Sequence, residues 1–142
     1  MTIKAVLFDC DGVLTTERND AYSTCRFLNA ATKIPQNYLE KVYMAFFPAT
    51  YINKGNDTAV IQQFCDRIGM GVNLDMVMDS FRKTPKNEGM FELADGLRKN
   101  GYRTGIVTDN SETRIKVIID SFQLRDFYPI IVSVDVGCRK RG

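Results

Sequence analysis

Apolar residues in this chain follow two different patterns. Near the N-terminus, Ala5-Val6-Leu7-Phe8 is an unbroken apolar run that ends in the acidic, glycine-containing turn Asp9-Cys10-Asp11-Gly12. A short continuous run bounded by a turn predicts a buried parallel strand with functional residues at its C-terminal end. Further on, the spacing becomes helical. Ala21, Cys25 and Leu28 share one face. Leu39, Val42, Tyr43 and Phe46 recur at i, i+3, i+4, i+7, as do Ile61, Phe64, Cys65 and Ile68, and then Leu74, Val77, Met78 and Phe81. Breaks at Pro35, at Pro48, at Lys54-Gly55-Asn56-Asp57 and at Gly69 to Gly71 divide this stretch into about four helices packed on one another.

After Pro85 strands return. Met90, Leu93, Ala94 and Leu97 mark a helix stopped by Asn100-Gly101, and Arg103 to Thr108 reads as a second strand. Asp109, with Glu112 three residues on, resembles a capping box opening a helix that buries Ile115, Ile118, Ile119 and Phe122. Pro129 to Ser133 reads as a third strand. Strand, helix, strand, helix, strand is the order of an α/β fold with a parallel sheet. The expected organisation is an α/β core of about three strands from residues 1–15 and 85–142, with an all-helical insertion over 16–84.

Composition narrows the chemistry. The 142 residues fit a single domain carrying an insertion, and 44% hydrophobic with 25% charged residues is ordinary for a globular chain. A net charge of +2, from 19 basic and 17 acidic residues, argues against a nucleic-acid or membrane partner. The first apolar run is too short for a signal peptide, no run approaches a membrane span, and a cytoplasmic location is expected. Four dispersed cysteines form no CxxC pair and read as reduced thiols. There is no histidine, which excludes Ser-His-Asp and Cys-His catalysis and leaves carboxylates, hydroxyls, lysine or a bound ion.

Ligands of open parallel sheets bind beyond the carboxyl ends of the strands. Asp9 and Asp11 follow strand one, Thr108, Asp109 and Asn110 follow strand two, and Lys140 follows strand three. Together they suit a phosphate monoester. Asp9 can attack phosphorus to form an aspartyl-phosphate, and Asp11 can protonate the leaving oxygen and then activate water. A divalent cation at the two aspartates would remove the repulsion between carboxylate and phosphate, and Mg²⁺ prefers such oxygen ligands. Thr108 can donate to a phosphoryl oxygen, and Lys140 can hold the charge on the equatorial oxygens. Gly12 allows the turn beside the phosphate, and the backbone N–H of Cys10 is a further donor. The thiol of Cys10 is expected to point away from the site.

These segments resemble the haloacid dehalogenase superfamily in its phosphatase branch. Asp9-Cys10-Asp11-Gly12-Val13-Leu14-Thr15 is similar to motif I, Ile106-Val107-Thr108-Asp109-Asn110 to motif II, and Val136-Gly137-Cys138-Arg139-Lys140 to the run into motif III. The resemblance implies Asp9 as nucleophile, Asp11 as acid/base, Thr108 and Lys140 as phosphate ligands, Mg²⁺ as cofactor, a Rossmann-like core, a helical cap between motifs I and II, and a small phosphorylated metabolite as substrate. An acid two residues after the nucleophile favours phosphate over C–halogen chemistry. A phosphomutase, and an inactive member kept for binding or regulation, share these motifs. A receiver-type signalling domain also phosphorylates an aspartate, but its acceptor is expected on a later strand, without a helical insertion. Two features depart from the family. Arg141-Gly142 stand where proline usually follows the lysine, and the acidic motif IV, which completes the metal shell beside strand one, has no counterpart. A truncated or frameshifted phosphatase, or one completed by a partner chain, is therefore expected, with a poorly active monomer and self-association through the open sheet edge.

Overall fold

The computed structural model describes residues 2–140. Three strands, β1 (Ala5–Phe8), β2 (Arg103–Thr108) and β3 (Ile130–Val132), form a parallel sheet in the order β1-β2-β3. Between β1 and β2 lie α1 (Asp20–Thr32), α2 (Gln36–Phe46), α3 (Asp57–Ile68), α4 (Leu74–Arg82) and α5 (Glu88–Lys99). Helix α6 (Glu112–Phe122) connects β2 to β3, and the single-turn α7 (Ser133–Val136) follows β3 directly. This is the α/β, Rossmann-like arrangement read from the strand order. The predicted second strand matches β2, while Ser133 begins a helical turn instead of ending β3.

Two apolar clusters divide the interior. One belongs to α1–α4, where Tyr43, Phe47 and Phe64 stack and meet edge to face, with Leu28, Leu39, Ile61 and Phe81 around them. The other lies between the sheet and α5 and α6, and includes Phe8, Ala94, Ile106, Ile115, Ile118 and Val132. Helix α6 serves both, because Val117 packs against the first cluster while Ile115 and Ile118 enter the second.

Strand β1 differs from its expected burial. Only Phe8 is buried, and Leu7 is 53% exposed. Apolar composition predicts a strand covered on both faces, but among the described residues β1 pairs on one side only and forms an edge of the sheet. The strands still sit close together, since a Cβ on Gly105 would lie 2.8 Å from both Leu7 Cδ2 and the Pro129 carbonyl oxygen.

Helix α6 begins with a different cap from the one predicted. Ser111 is the N-cap, its Oγ accepting from the Arg114 N–H at 3.2 Å. Asp109 lies two residues earlier and is free for other partners. Residues 141 and 142, part of the basic end, lie outside the described residues.

Candidate active site

The strand-to-turn transition after β1 is set by two local contacts. The Asp9 carboxylate accepts from the Cys10 N–H at 2.7 Å, and Gly12 sits at φ +80°, where a Cβ would come within 3.1 Å of the Arg18 carbonyl oxygen. Thr15 closes the turn, its N–H donating to the Cys10 carbonyl and its Oγ1 accepting from the Gly12 N–H, both at 3.1 Å. Cys10 is fully buried. Burial, reinforced by the neighbouring Asp11 charge, pushes its thiol up to about 12. It is therefore a protonated packing residue at neutral pH.

Asp9 and Lys140 come together across the sheet. Lys140 Nζ lies 2.9 Å from Asp9 Oδ2, and both side chains remain more than one-third exposed. Asp109 holds this approach in place. Its carboxylate accepts from the Lys140 N–H at 3.0 Å and from Arg139 Nε at 3.5 Å, so it anchors the final segment instead of capping α6. Arg139 also lies over the Tyr51 ring, with Cζ 5.3 Å from the centroid.

Asp11 is placed differently from Asp9. Arg114 Nη2 donates to Asp11 Oδ1 and Nη1 to Oδ2, each at 2.7 Å, in a two-pronged ion pair. Arg114 is 1% exposed and Asp11 13%. Asn110, fully buried, donates through Nδ2 to Asp11 Oδ2 at 3.3 Å and to Thr108 Oγ1 at 3.4 Å, while its N–H donates to Ser133 Oγ at 3.0 Å. Burial raises the Asp11 carboxyl, and the Arg114 guanidinium opposes that rise. Arg114 is itself raised, by the charges of Asp11 and Asp20 working against its burial. Mutual attraction in this low-dielectric site works against the burial that disfavours each charge.

Sequence reading missed Arg114 and Ser133. Arg114 lies between Ile115 and the polar helix start, where an arginine ordinarily reads as solvated. Its position on the buried side of α6, one residue before Ile115 and four before Ile118, was the available signal.

A family model for haloacid dehalogenase-like hydrolases matches residues 3–138. This chain belongs to that family. A search of curated proteins found no match. Among solved structures, the L-2-haloacid dehalogenase of Xanthobacter autotrophicus is similar at 17% identity and a TM-score of 0.63, over 98% of this chain and 60% of that one. A second structure of that dehalogenase, with chloropropionic acid covalently bound, aligns at 16% identity, a TM-score of 0.63 and the same shares of the two chains. A HAD-family enzyme from Bacteroides thetaiotaomicron aligns at 16% identity with a TM-score of 0.64, over 99% of this chain and 73% of that one. Identities this low establish the fold, and the chain spans 60% of the dehalogenase's length.

The family implies Mg²⁺. Among the described residues, no group of three or more His, Cys, Asp and Glu converges. Mg²⁺, however, commonly uses one or two carboxylates together with substrate phosphate and several waters. The exposed Asp9 carboxylate and the Asp11 main-chain carbonyl fit that minimal set. The Asp11 carboxylate does not join it in this arrangement, because Arg114 occupies both of its oxygens.

Proposed function

We propose that this family member is a Mg²⁺-dependent phosphohydrolase acting on a small phosphate monoester through an aspartyl-phosphate on Asp9. The observation carrying the reading is the Asp9–Lys140 pair at 2.9 Å at the carboxyl ends of the strands. Asp9 is exposed enough to meet a phosphoryl group, and Lys140 lies where charge on the equatorial oxygens needs a counter-charge. Thr108 Oγ1 accepts from Asn110, which leaves its own proton for a phosphoryl oxygen. Asp11, once its carboxylate leaves Arg114 and takes up a proton from solvent, donates that proton to the leaving oxygen and later takes one from the attacking water. Asp9 and the Asp11 carbonyl would hold the metal, which when bound screens the repulsion between carboxylate and phosphate. The helices of 16–84 act as a cap that excludes water and selects the leaving group.

The test is phosphate release from 4-nitrophenyl phosphate with and without Mg²⁺, beside Asp9→Asn. Release that depends on Mg²⁺ and disappears in the variant supports the mechanism. Metal-independent release that survives the substitution overturns it.

One observation favours a second reading, hydrolysis of a C–halogen bond. A halide leaves without a proton, and the carboxylate of Asp11 is occupied by Arg114. Release of chloride from 2-chloropropionate, with no release of phosphate from esters, would select this reading.

A further inference from the structure

Arg114 is among the large side chains that the protein buries completely, and no step above uses it directly. It stands where the helical insertion meets the sheet layer. On the sheet side its guanidinium holds both oxygens of Asp11 and reaches Asn110 Oδ1 at 3.3 Å. On the insertion side its Cζ lies 5.8 Å from the centre of the Phe81 ring on α4. A second carboxylate, Asp20 at the start of α1, acts on it by charge. Asp20 is in turn held by the hydroxyls of Tyr43, at 2.8 Å, and Tyr51. One buried cation is thus acted on by two carboxylates, one before the insertion and one within it. Its grip on Asp11 is by paired hydrogen bonds. Its grip on the insertion is by charge and packing, and its Nε has no hydrogen-bond partner among the described residues.

We propose that Arg114 is a positioning residue that withdraws the Asp11 carboxylate from the phosphoryl site while the insertion is seated, so that freeing Asp11 is coupled to movement of the insertion. For the role of Asp11, this rests on the phosphohydrolase reading. The coupling between the ion pair and the insertion stands on geometry alone. Asp11 has two carboxylate oxygens, and both are engaged. A shift of α4 across Arg114 as the insertion closes on substrate unpacks the guanidinium from Phe81 and loosens its grip on Asp11, with water still excluded. The two layers already share other ties. The buried Asp57 of α3 accepts from the Thr113 N–H of α6 at 2.6 Å, and Lys54 Nζ lies 3.0 Å from Asp135 beyond β3. Movement of the insertion therefore strains the same helix that carries Arg114.

The experiment has two arms, both on the full chain. Hydrogen exchange over α4 and the start of α6 is compared in wild type, Asp11→Asn, Arg114→Lys, Arg114→Met and the Asp11→Asn/Arg114→Met double variant. Each single variant is expected to speed exchange by about threefold or more, and the double variant to add nothing to Arg114→Met, because one contact is being removed twice. Additive effects, or unchanged exchange in the folded variants, overturn the coupling. Arg114→Lys keeps the charge, so the arm remains decisive if Arg114→Met fails to fold. In the second arm, kcat and KM are measured with phenyl phosphate, whose leaving oxygen gains from protonation. Arg114→Lys is expected to raise kcat by about threefold or more with KM unchanged. An unchanged or lower kcat in folded protein overturns the withdrawal of Asp11. If the wild type releases no phosphate, the phosphohydrolase reading fails, and with it the role given to Asp11. The exchange arm still decides the coupling.

Discussion

Asp9 and Asp11 are two residues apart and occupy opposite environments. Asp9 meets solvent and Lys140, whereas Asp11 turns inward to Arg114. Asp9→Asn is expected to reduce turnover by about a thousandfold or more, since an amide is a poor nucleophile, measured as phosphate release. Gly12 is the neighbour whose backbone is least replaceable. Gly12→Ala places a Cβ at φ +80° and 3.1 Å from the Arg18 carbonyl oxygen. The expected cost is about 1–3 kcal/mol, read as a lower Tm by calorimetry. Cys10 offers a reactivity test. With its thiol pushed up to about 12 and fully buried, it stays protonated and shielded at pH 8. Iodoacetamide is therefore expected to label the exposed Cys138 and spare Cys10 in the native protein, as mapped by peptide mass spectrometry.

Helices and strands were legible wherever spacing alone specifies them. The faces of α1 to α4 follow from apolar recurrence, and β2 from its apolar run bounded by Gly101 and Asp109. Cap chemistry was less legible. Asp109 and Ser111 both precede Glu112, and both are good N-cap residues. Pairing of Asp109 with Arg139 and Lys140 from beyond β3 leaves the cap to Ser111, which no local pattern encodes. At this scale Phe64→Ala is the informative substitution. Phe64 is fully buried and meets the stacked rings of Tyr43 and Phe47 edge to face, and truncation is expected to cost about 3–5 kcal/mol. Chemical denaturation checks the value.

For the molecule as a whole, the open side of β1 is the main consequence of the strand order. Among the described residues no strand pairs with that side, and Leu7 and Ile3 are largely exposed beside it. Unprotected apolar edges favour pairing with another chain. Self-association through this edge is expected to fall in Leu7→Lys, with light scattering after size exclusion reporting the mass. A mass unchanged from an associated wild type would move the contact elsewhere.

The sequence by itself determined the strand and helix order, the aspartate pair after β1 and the lysine beyond β3. Those features depend on local periodicity and on the rule that parallel strands present reactive groups at their carboxyl ends. The tertiary structure alone decided which way each aspartate faces. Arg114 lies 103 residues from Asp11 along the chain, and only the packing of α6 between sheet and insertion brings them together. Burial then makes the contact strong, because a guanidinium removed from water needs a carboxylate, and among the described residues Asp11 is the one within hydrogen-bonding reach.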